Sequence, residues 1–518
     1  MFMRQLRGLS RSKILVVSLL AQCAAIHGEE ASGEAGLRPV SYWNDIRPLM
    51  QASCQGCHQP AKAKGDYILT DVKRLILGGE SGESAIAPGS PEQSYLLEQI
   101  TPGANGKAEM PPRDKALHET EIALIRRWIV EGAVDDTPEN AFQKYDMENP
   151  PVYADAPIVT SMDYSPDGSL LAIAGFHEVI LQDASKGSMV ARLVGLSERI
   201  ESVAFSPDGS MLAVTGGLPG RMGEVQVWDV AKRSLKISVP VTYDTLYGAA
   251  WSPDNTLISF GCSDNTLRAI RVRDGKQVLL MGGHNDWVLD SVFSRDGKQV
   301  ISVGRDMTAK HTEVESERLI DNLTSITPGA LKGGIAAVAG HPTKDEVLVG
   351  GSDGQPQVFR LKRQTARKIG DNANLVRKFP RMPGRIWDVS FDPAGKQAAA
   401  VSSLNGDGMV TIYRSDYDSG IPDDIKKIFN KTPNGGEKQK LEGYWAREVS
   451  ELHSIEMPGV EIFCLAFSPD GRILAVAGAD GTVRFIEVAS GKVTREAVAV
   501  KIEGDVIADS VSEGEKRR

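Results

Sequence analysis

The chain has 518 residues, too many for one ordinary core, and its 41% hydrophobic and 25% charged residues are globular usage, neither a disordered chain nor a multi-span membrane protein. A formal net charge of -9 argues against a general nucleic-acid binder, which needs a concentrated basic face. The 52 glycines point to many tight turns rather than long helices.

Arg4, Arg7, Arg11 and Lys13 precede an apolar run from Ile14 to Ala25, and small and polar residues then lead to Gly28 and Glu29. A charged start, a core too short to span a bilayer and a small-residue exit predict a secretory signal peptide over residues 1–28, cleaved after Ala25 or Gly28. The mature chain is thus expected in the periplasm or cell envelope, with no transmembrane span. Cys23 after Leu20-Ala21-Gln22 resembles a bacterial lipoprotein signal, but Gln22 stands where a small residue is wanted, which disfavours lipid anchoring. Cys262 and Cys464 lie in apolar, strand-like stretches far apart and read as two buried unpaired thiols.

The first domain is expected over residues 38–136. Tyr42, Ile46, Leu49 and Met50 fall at helical spacing, an amphipathic helix running toward Cys54-Gln55-Gly56-Cys57-His58. Two cysteines two residues apart with histidine directly after them form the attachment signature of a c-type haem. One turn of helix sets the two thiols against the two vinyl groups of one porphyrin, and His58 becomes the proximal iron ligand. Beyond the motif, Gly-, Ser- and Pro-rich stretches predict loops with short helical pieces, then a helix near Tyr95 to Thr101. A closing helix places Ile122, Ile125 and Ile129 on one face, flanked by Leu124 and Trp128, and Gly132 ends it. Met110, in Glu109-Met110-Pro111-Pro112, is the favoured second axial ligand, because two prolines fix the loop so that a thioether points inward at little entropic cost. A His/Met pair suits electron transfer at a raised potential. His118 and Met147 are the competitors, each nearer an element boundary and with less rigid flanks.

The stretch from Val40 to Val134 resembles the planctomycete-type cytochrome c domain, through Asp45-Ile46-Arg47-Pro48-Leu49, Cys54 to His58, Gly78-Gly79-Glu80-Ser81-Gly82, Pro88-Gly89-Ser90-Pro91-Glu92, Met110-Pro111-Pro112 and Ile125-Arg126-Arg127-Trp128-Ile129. The resemblance implies one haem c bonded covalently to Cys54 and Cys57, with His58 and Met110 as axial ligands. Asp66 replaces a second glycine after Gly65, and His118-Glu119 stands where the family puts a Thr-Pro helix start, which weakens the expected cap.

After a linker at residues 137–156 the chain changes character. Ser-Pro-Asp-Gly or a relative, between apolar runs, occurs at Ser165, Ser206, Ser252, Ser294, His341, Asp392 and Ser468, mostly at spacings in the low to middle forties, the period of a four-stranded propeller blade. The fold class expected is therefore multidomain: a small all-α cytochrome c domain followed by an all-β, seven-bladed propeller over residues 157–502, with a polar tail at 503–518. A polar, Gly-rich insertion at about 415–453, with an amphipathic patch at Ile425 to Phe429, is expected between the sixth and seventh repeats as a long loop or small subdomain. These repeats resemble the WD-repeat family, with Trp228-Asp229 as the intact Trp-Asp and Gly283-His284 as the intact Gly-His. Asp264, Asp306, Asp353 and Asp480 match its structural aspartates and read as turn and network formers rather than acids or metal ligands.

His177, His284, His311, His341 and His453 are scattered among repeats without metal spacing, and neither a P-loop nor a G-x-S-x-G elbow occurs. No catalytic residue is assigned. The leading reading is an exported single-haem cytochrome carrying one electron at a time, an electron-transfer protein rather than a catalyst. Its redox partner proteins would be met through the haem edge and the propeller face, with no nucleic acid involved. The alternatives are an oxidoreductase acting on a small substrate at the propeller face and a haem-based redox sensor or scaffold.

Overall fold

The computed structural model describes residues 38–54, 58–59, 62–69, 72–111, 116–138, 145–324, 333–365, 372–500 and 502. The expected signal peptide, Cys23, Cys57 and the polar tail lie outside the described residues.

A small helical region comes first. Ser41 accepts the backbone N–H of Asn44 at 2.9 Å and opens a short π-helical turn, Tyr42–Ile46. The turn runs into α1 (Arg47–Ser53), where Pro48 sits in the first turn and its missing N–H costs nothing. Then follow α2 (Val72–Leu77), α3 (Tyr95–Ile100) and α4 (Glu119–Val130). Their apolar faces meet in one core around Ile46, Met50, Leu75, Ile86, Ile125 and Trp128. The Trp128 ring lies 5.6 Å from that of Tyr42, and its indole N–H donates to the Val134 carbonyl at 3.0 Å. Two expectations need correction. His118 does not weaken the start of α4: its ring accepts the Thr120 N–H while Glu121 accepts the His118 N–H at 2.7 Å, a full capping box. Nor is the region purely helical, because α1 ends at Ser53 and His58–Gln59 pairs with Lys62–Ala63 as two short antiparallel strands.

The rest is antiparallel sheet. Five four-stranded meanders follow one another, preceded by one seven-stranded sheet. In that sheet the long strand Met189–Phe205 pairs through its first half with Phe176–Asp183 and through its second with Met211–Leu218. The turn chemistry read in the repeats recurs atom for atom. Ser165 Oγ donates to Asp167 Oδ1 at 2.6 Å, Asp167 accepts the Ser169 N–H at 3.0 Å, and Gly168 takes a φ of 72°. Ser206, Ser252, Ser294 and Ser468 repeat the bond to their own aspartates, and Asn255 takes a φ of 60° where the others have glycine. Where serine and aspartate are missing, His341 Nδ1 accepts the Thr343 and Lys344 N–H groups, both at 3.1 Å.

The first strands of the five four-stranded sheets pack side by side in succession; the first of these, Leu246–Trp251, packs on Met189–Phe205 of the seven-stranded sheet, and the last, Ile462–Phe467, packs on Met162–Tyr164 of that sheet. Buried carboxylates tie these strands together: Asp290 and Asp388 accept the N–H groups of Val338 and Leu465, each in the next sheet along, at 2.8 and 2.9 Å, and Asp163 accepts that of Phe205 within the seven-stranded sheet at 2.7 Å. One core joins the two ends of the repeat array, Val159, Leu171 and Ile173 against Cys464, Val483 and Phe485. Val159 donates to the Gly478 carbonyl at 3.0 Å, and Arg495 donates to the carbonyls of Ser185 and Ala184 at 3.0 and 2.8 Å.

The insertion is ordered, and it lies inside one sheet rather than between two. Strand Ser450–Met457 pairs with Asp407–Arg414, so the chain between them leaves the sheet and returns to it. It forms a helical hairpin, α5 (Asp423–Phe429) and α6 (Gly435–Trp445), the second opened by an Asn434–Glu437 capping box. Ile425, Phe429, Leu441 and Trp445 bury against the neighbouring sheet, and the Trp445 indole donates to the Leu375 carbonyl at 3.2 Å.

Candidate functional site

Helix α1 delivers the cysteine-histidine motif. Cys54 caps its C-terminus, donating its N–H to the Met50 carbonyl at 2.9 Å, and the His58 N–H reaches the Cys54 carbonyl at 3.2 Å. Cys57 is not among the described residues. The His58 carbonyl then accepts the Leu69 N–H at 3.0 Å, anchoring the segment to the floor of the region.

Cys54, His58 and Met110 line one cavity of about 290 Å³. Its walls are mainly apolar and aromatic, with Tyr67, Leu69, Ala85, Tyr95, Leu96 and Ile100 among them, and its polar lining includes Lys64, Glu80 and Gln99. Met110 is placed by its backbone, whose N–H donates at 2.8 Å to the carbonyl of Gln99 in the last turn of α3. The residue is 39% exposed and forms part of the cavity lining. The competing ligands are elsewhere: His118 is occupied as the helix cap, and the Met147 sulfur accepts the Val194 N–H at 3.4 Å.

The donor set and the walls fit a haem. An imidazole and a thioether share a largely apolar cavity, with one of the two motif thiols beside them. Nδ1 of His58 is buried with no hydrogen-bond partner among the described residues. Burial pulls the His58 pKa below its ordinary value, outweighing the opposing effect of the Lys64 and Tyr67 backbone, a shift in the direction of the neutral ring that a metal ligand needs. One wall depends on a glycine pair: a Cβ on Gly79 would come within 2.2 Å of the Gly65 oxygen and 2.9 Å of the Tyr67 Cβ.

Tyr67 is the wall residue the sequence did not mark. Its ring meets the His58 imidazole edge-on with centroids 5.5 Å apart, and its hydroxyl donates to the Leu75 carbonyl at 2.8 Å. Burial raises the phenol pKa well above its ordinary value. A lone tyrosine after Gly65-Asp66 carries no pattern, so no sequence signal identifies it.

The repeat region holds no comparable convergence. His284 is enclosed, its Nδ1 at 3.0 Å from Asp306 and its Nε2 at 2.8 Å from Ser302 Oγ. His311 bonds Gln299 at 2.8 Å and His453 the Ala489 carbonyl at 3.2 Å. Asp264 and Asp480 pair with Arg268 and Arg484 at 2.5 and 2.6 Å, while Asp353 accepts the Gln355 N–H at 3.2 Å, so these aspartates are turn and network formers. Cys262 and Cys464 are both buried; burial pushes the Cys262 thiol up to about 12, and Cys464 lies 3.6 Å from the Ala477 carbonyl. Among the described residues no cluster of three or more His, Cys, Asp or Glu side chains is placed to hold a metal ion, and no helix is long and apolar enough to cross a membrane.

Comparison with known proteins agrees with both regions. Residues 54–114 match the family described as Planctomycete cytochrome C. Residues 275–311 match the WD domain, G-beta repeat, and residues 445–508 the Anaphase-promoting complex subunit 4 WD40 domain. Cilia- and flagella-associated protein 52 of Chlamydomonas reinhardtii is 25% identical over 201 residues, 35% of this chain and 29% of that protein. The match thus spans under a third of the relative. A chain from a crystal structure of the mitotic checkpoint complex superposes with a TM-score of 0.51 at 20% identity, covering 65% of this chain and 93% of that one, which establishes the propeller-type fold alone. The protein therefore joins a planctomycete-type cytochrome c segment to a WD40 propeller.

Proposed function

We propose that the protein is an exported single-haem c-type cytochrome that transfers one electron at a time and uses its propeller to dock redox partner proteins. Cys54 and Cys57 would hold one haem c covalently, with His58 and Met110 as axial ligands. The haem supplies the redox chemistry; the chain fixes ligands, dielectric and access. His58 offers a neutral imidazole, Met110 a soft thioether that favours the ferrous state, and the apolar wall of Leu69, Leu96 and Ile100 limits water. Electrons would pass through the exposed edge of the haem.

The observation that carries this reading is that Met110, far along the chain from the Cys54–His58 motif, lines one cavity with Cys54 and His58. Its family match and the signal-like N-terminus support haem attachment outside the cytoplasm. We read the sheets as seven blades, five separate and two merged along Met189–Phe205. That ring offers a broad docking surface, and the repeat matches support a protein-interaction role for it.

A pyridine haemochrome assay on the matured protein tests the proposal. A spectrum of covalent haem at one per chain is expected, and its absence overturns the reading.

A further inference from the structure

A metal-ligating histidine ordinarily donates its second ring N–H to a carbonyl or carboxylate, which fixes the tautomer and the plane of the ring. Among the described residues His58 lacks that device: its buried Nδ1 has no hydrogen-bond partner of good geometry there.

Another contact takes that place. The Tyr67 ring lies edge-on to the imidazole, centroids 5.5 Å apart and planes inclined by 63°. Tyr67 is itself held at two further points. Its hydroxyl is tied to the Leu75 carbonyl of α2 at 2.8 Å, and its Cβ rests against Gly79, where any side chain would approach to 2.9 Å. Backbone bonds close the loop between the two residues, since the Tyr67 N–H meets the Lys64 carbonyl at 3.4 Å and the Leu69 N–H meets the His58 carbonyl at 3.0 Å. Turning the imidazole would break its edge-on contact with a ring that is itself tethered.

We propose that Tyr67 is the positioning residue for His58, setting the plane of the imidazole by an edge-on aromatic contact in place of a hydrogen bond to Nδ1. The inference rests on the haem-protein reading above. It concerns ring orientation, so a role confined to filling space would leave its signature unmoved. A locked plane gives one ligand field and hence one narrow reduction potential; a loose one gives a distribution.

The test uses the full-length matured protein and two variants. Tyr67→Phe keeps the aromatic edge, and Tyr67→Leu removes it. Low-temperature electron paramagnetic resonance of the ferric form and the proton shifts of the haem methyls both report the orientation of the axial imidazole. Wild type and Tyr67→Phe are expected to share one sharp set of g-values and one methyl shift order. Tyr67→Leu is expected to lose that set, with broadened g-values and a rearranged order, while far-ultraviolet circular dichroism and haem content stay as in wild type. Wild-type signals in Tyr67→Leu overturn the proposal, as does an altered pattern in Tyr67→Phe, which remains decisive should the leucine variant not fold. Haem content is measured first. Were wild type to carry none, the functional reading would fail separately, and nitrogen-15 resonances of the His58 ring in the haem-free chain would decide the positioning question: one ordered ring in wild type and Tyr67→Phe and averaging in Tyr67→Leu support it, and equal averaging in all three overturns it.

Discussion

His58 and Met110, far apart in the chain, line the same cavity, one delivered from the end of α1 and the other held by a backbone bond to Gln99 in the last turn of α3. Their shared cavity makes the thioether a specific expectation. Met110→Ala should abolish the weak near-infrared band of a methionine–iron bond and lower the reduction potential by on the order of 0.1 V, a fraction of the range that axial ligands span. A visible and near-infrared spectrum with a redox titration checks this. Survival of the band would assign the ligand elsewhere.

The wall behind the site rests on Gly79. A methyl group there meets the Gly65 carbonyl oxygen at 2.2 Å, a backbone atom that cannot swing aside. Gly79→Ala should destabilise the cytochrome segment by about 1–3 kcal/mol, the usual cost of overpacking. Its thermal transition, followed by haem absorbance, should fall, while the propeller's transition stays in place.

Asp306 links acid stability to the repeats. Burial alone would raise its carboxyl pKa, but the His284 ring, the Asn285 N–H and the Thr308 hydroxyl outweigh that and hold it at about 2. The folded value lies below the unfolded value near 4, so the contribution is complete above about pH 4 and is lost as pH falls toward 2; its size is about 2 kcal/mol. Urea unfolding between pH 5 and 2 should show this loss in wild type. Asp306→Asn should be less stable at pH 7 and flatter across that window.

The hairpin in the insertion is a packed part of the propeller. Trp445 is 5% exposed, bonds the Leu375 carbonyl and lies under the Lys378 ammonium at 4.5 Å. Trp445→Ala should cost about 3–5 kcal/mol, as for other buried large-to-small changes. Limited proteolysis should then cut between α5 and α6, where wild type resists. Equal resistance in the two proteins would mean the hairpin is held by other contacts, such as the buried Arg377 with Glu448 at 3.0 Å.

Much of the architecture was legible because its causes are local. A Ser-Pro-Asp-Gly turn is a hydrogen bond from Ser165 to Asp167 and a positive φ at Gly168, all within four consecutive residues, so its recurrence counts the repeats wherever they pack. The helix through Ile125 and Trp128 shows in its spacing for the same reason. Local rules misjudged His118, whose ring accepts an N–H as well as the expected threonine would, and they placed the insertion at a boundary because a strand resuming at Ser450 looks like any other polar stretch.

What the sequence determined by itself was therefore the cysteine-histidine motif at Cys54 to His58, the candidate thioether at Met110 and the repeat period, each written in neighbouring residues. Only tertiary structure decided that Tyr67 stands edge-on to His58, that Gly79 must be bare to admit the Tyr67 wall, and that Trp445 docks on Leu375. Those are contacts between segments brought together by burial of a common core, and burial selects for apolar volume without leaving a periodic mark on the chain.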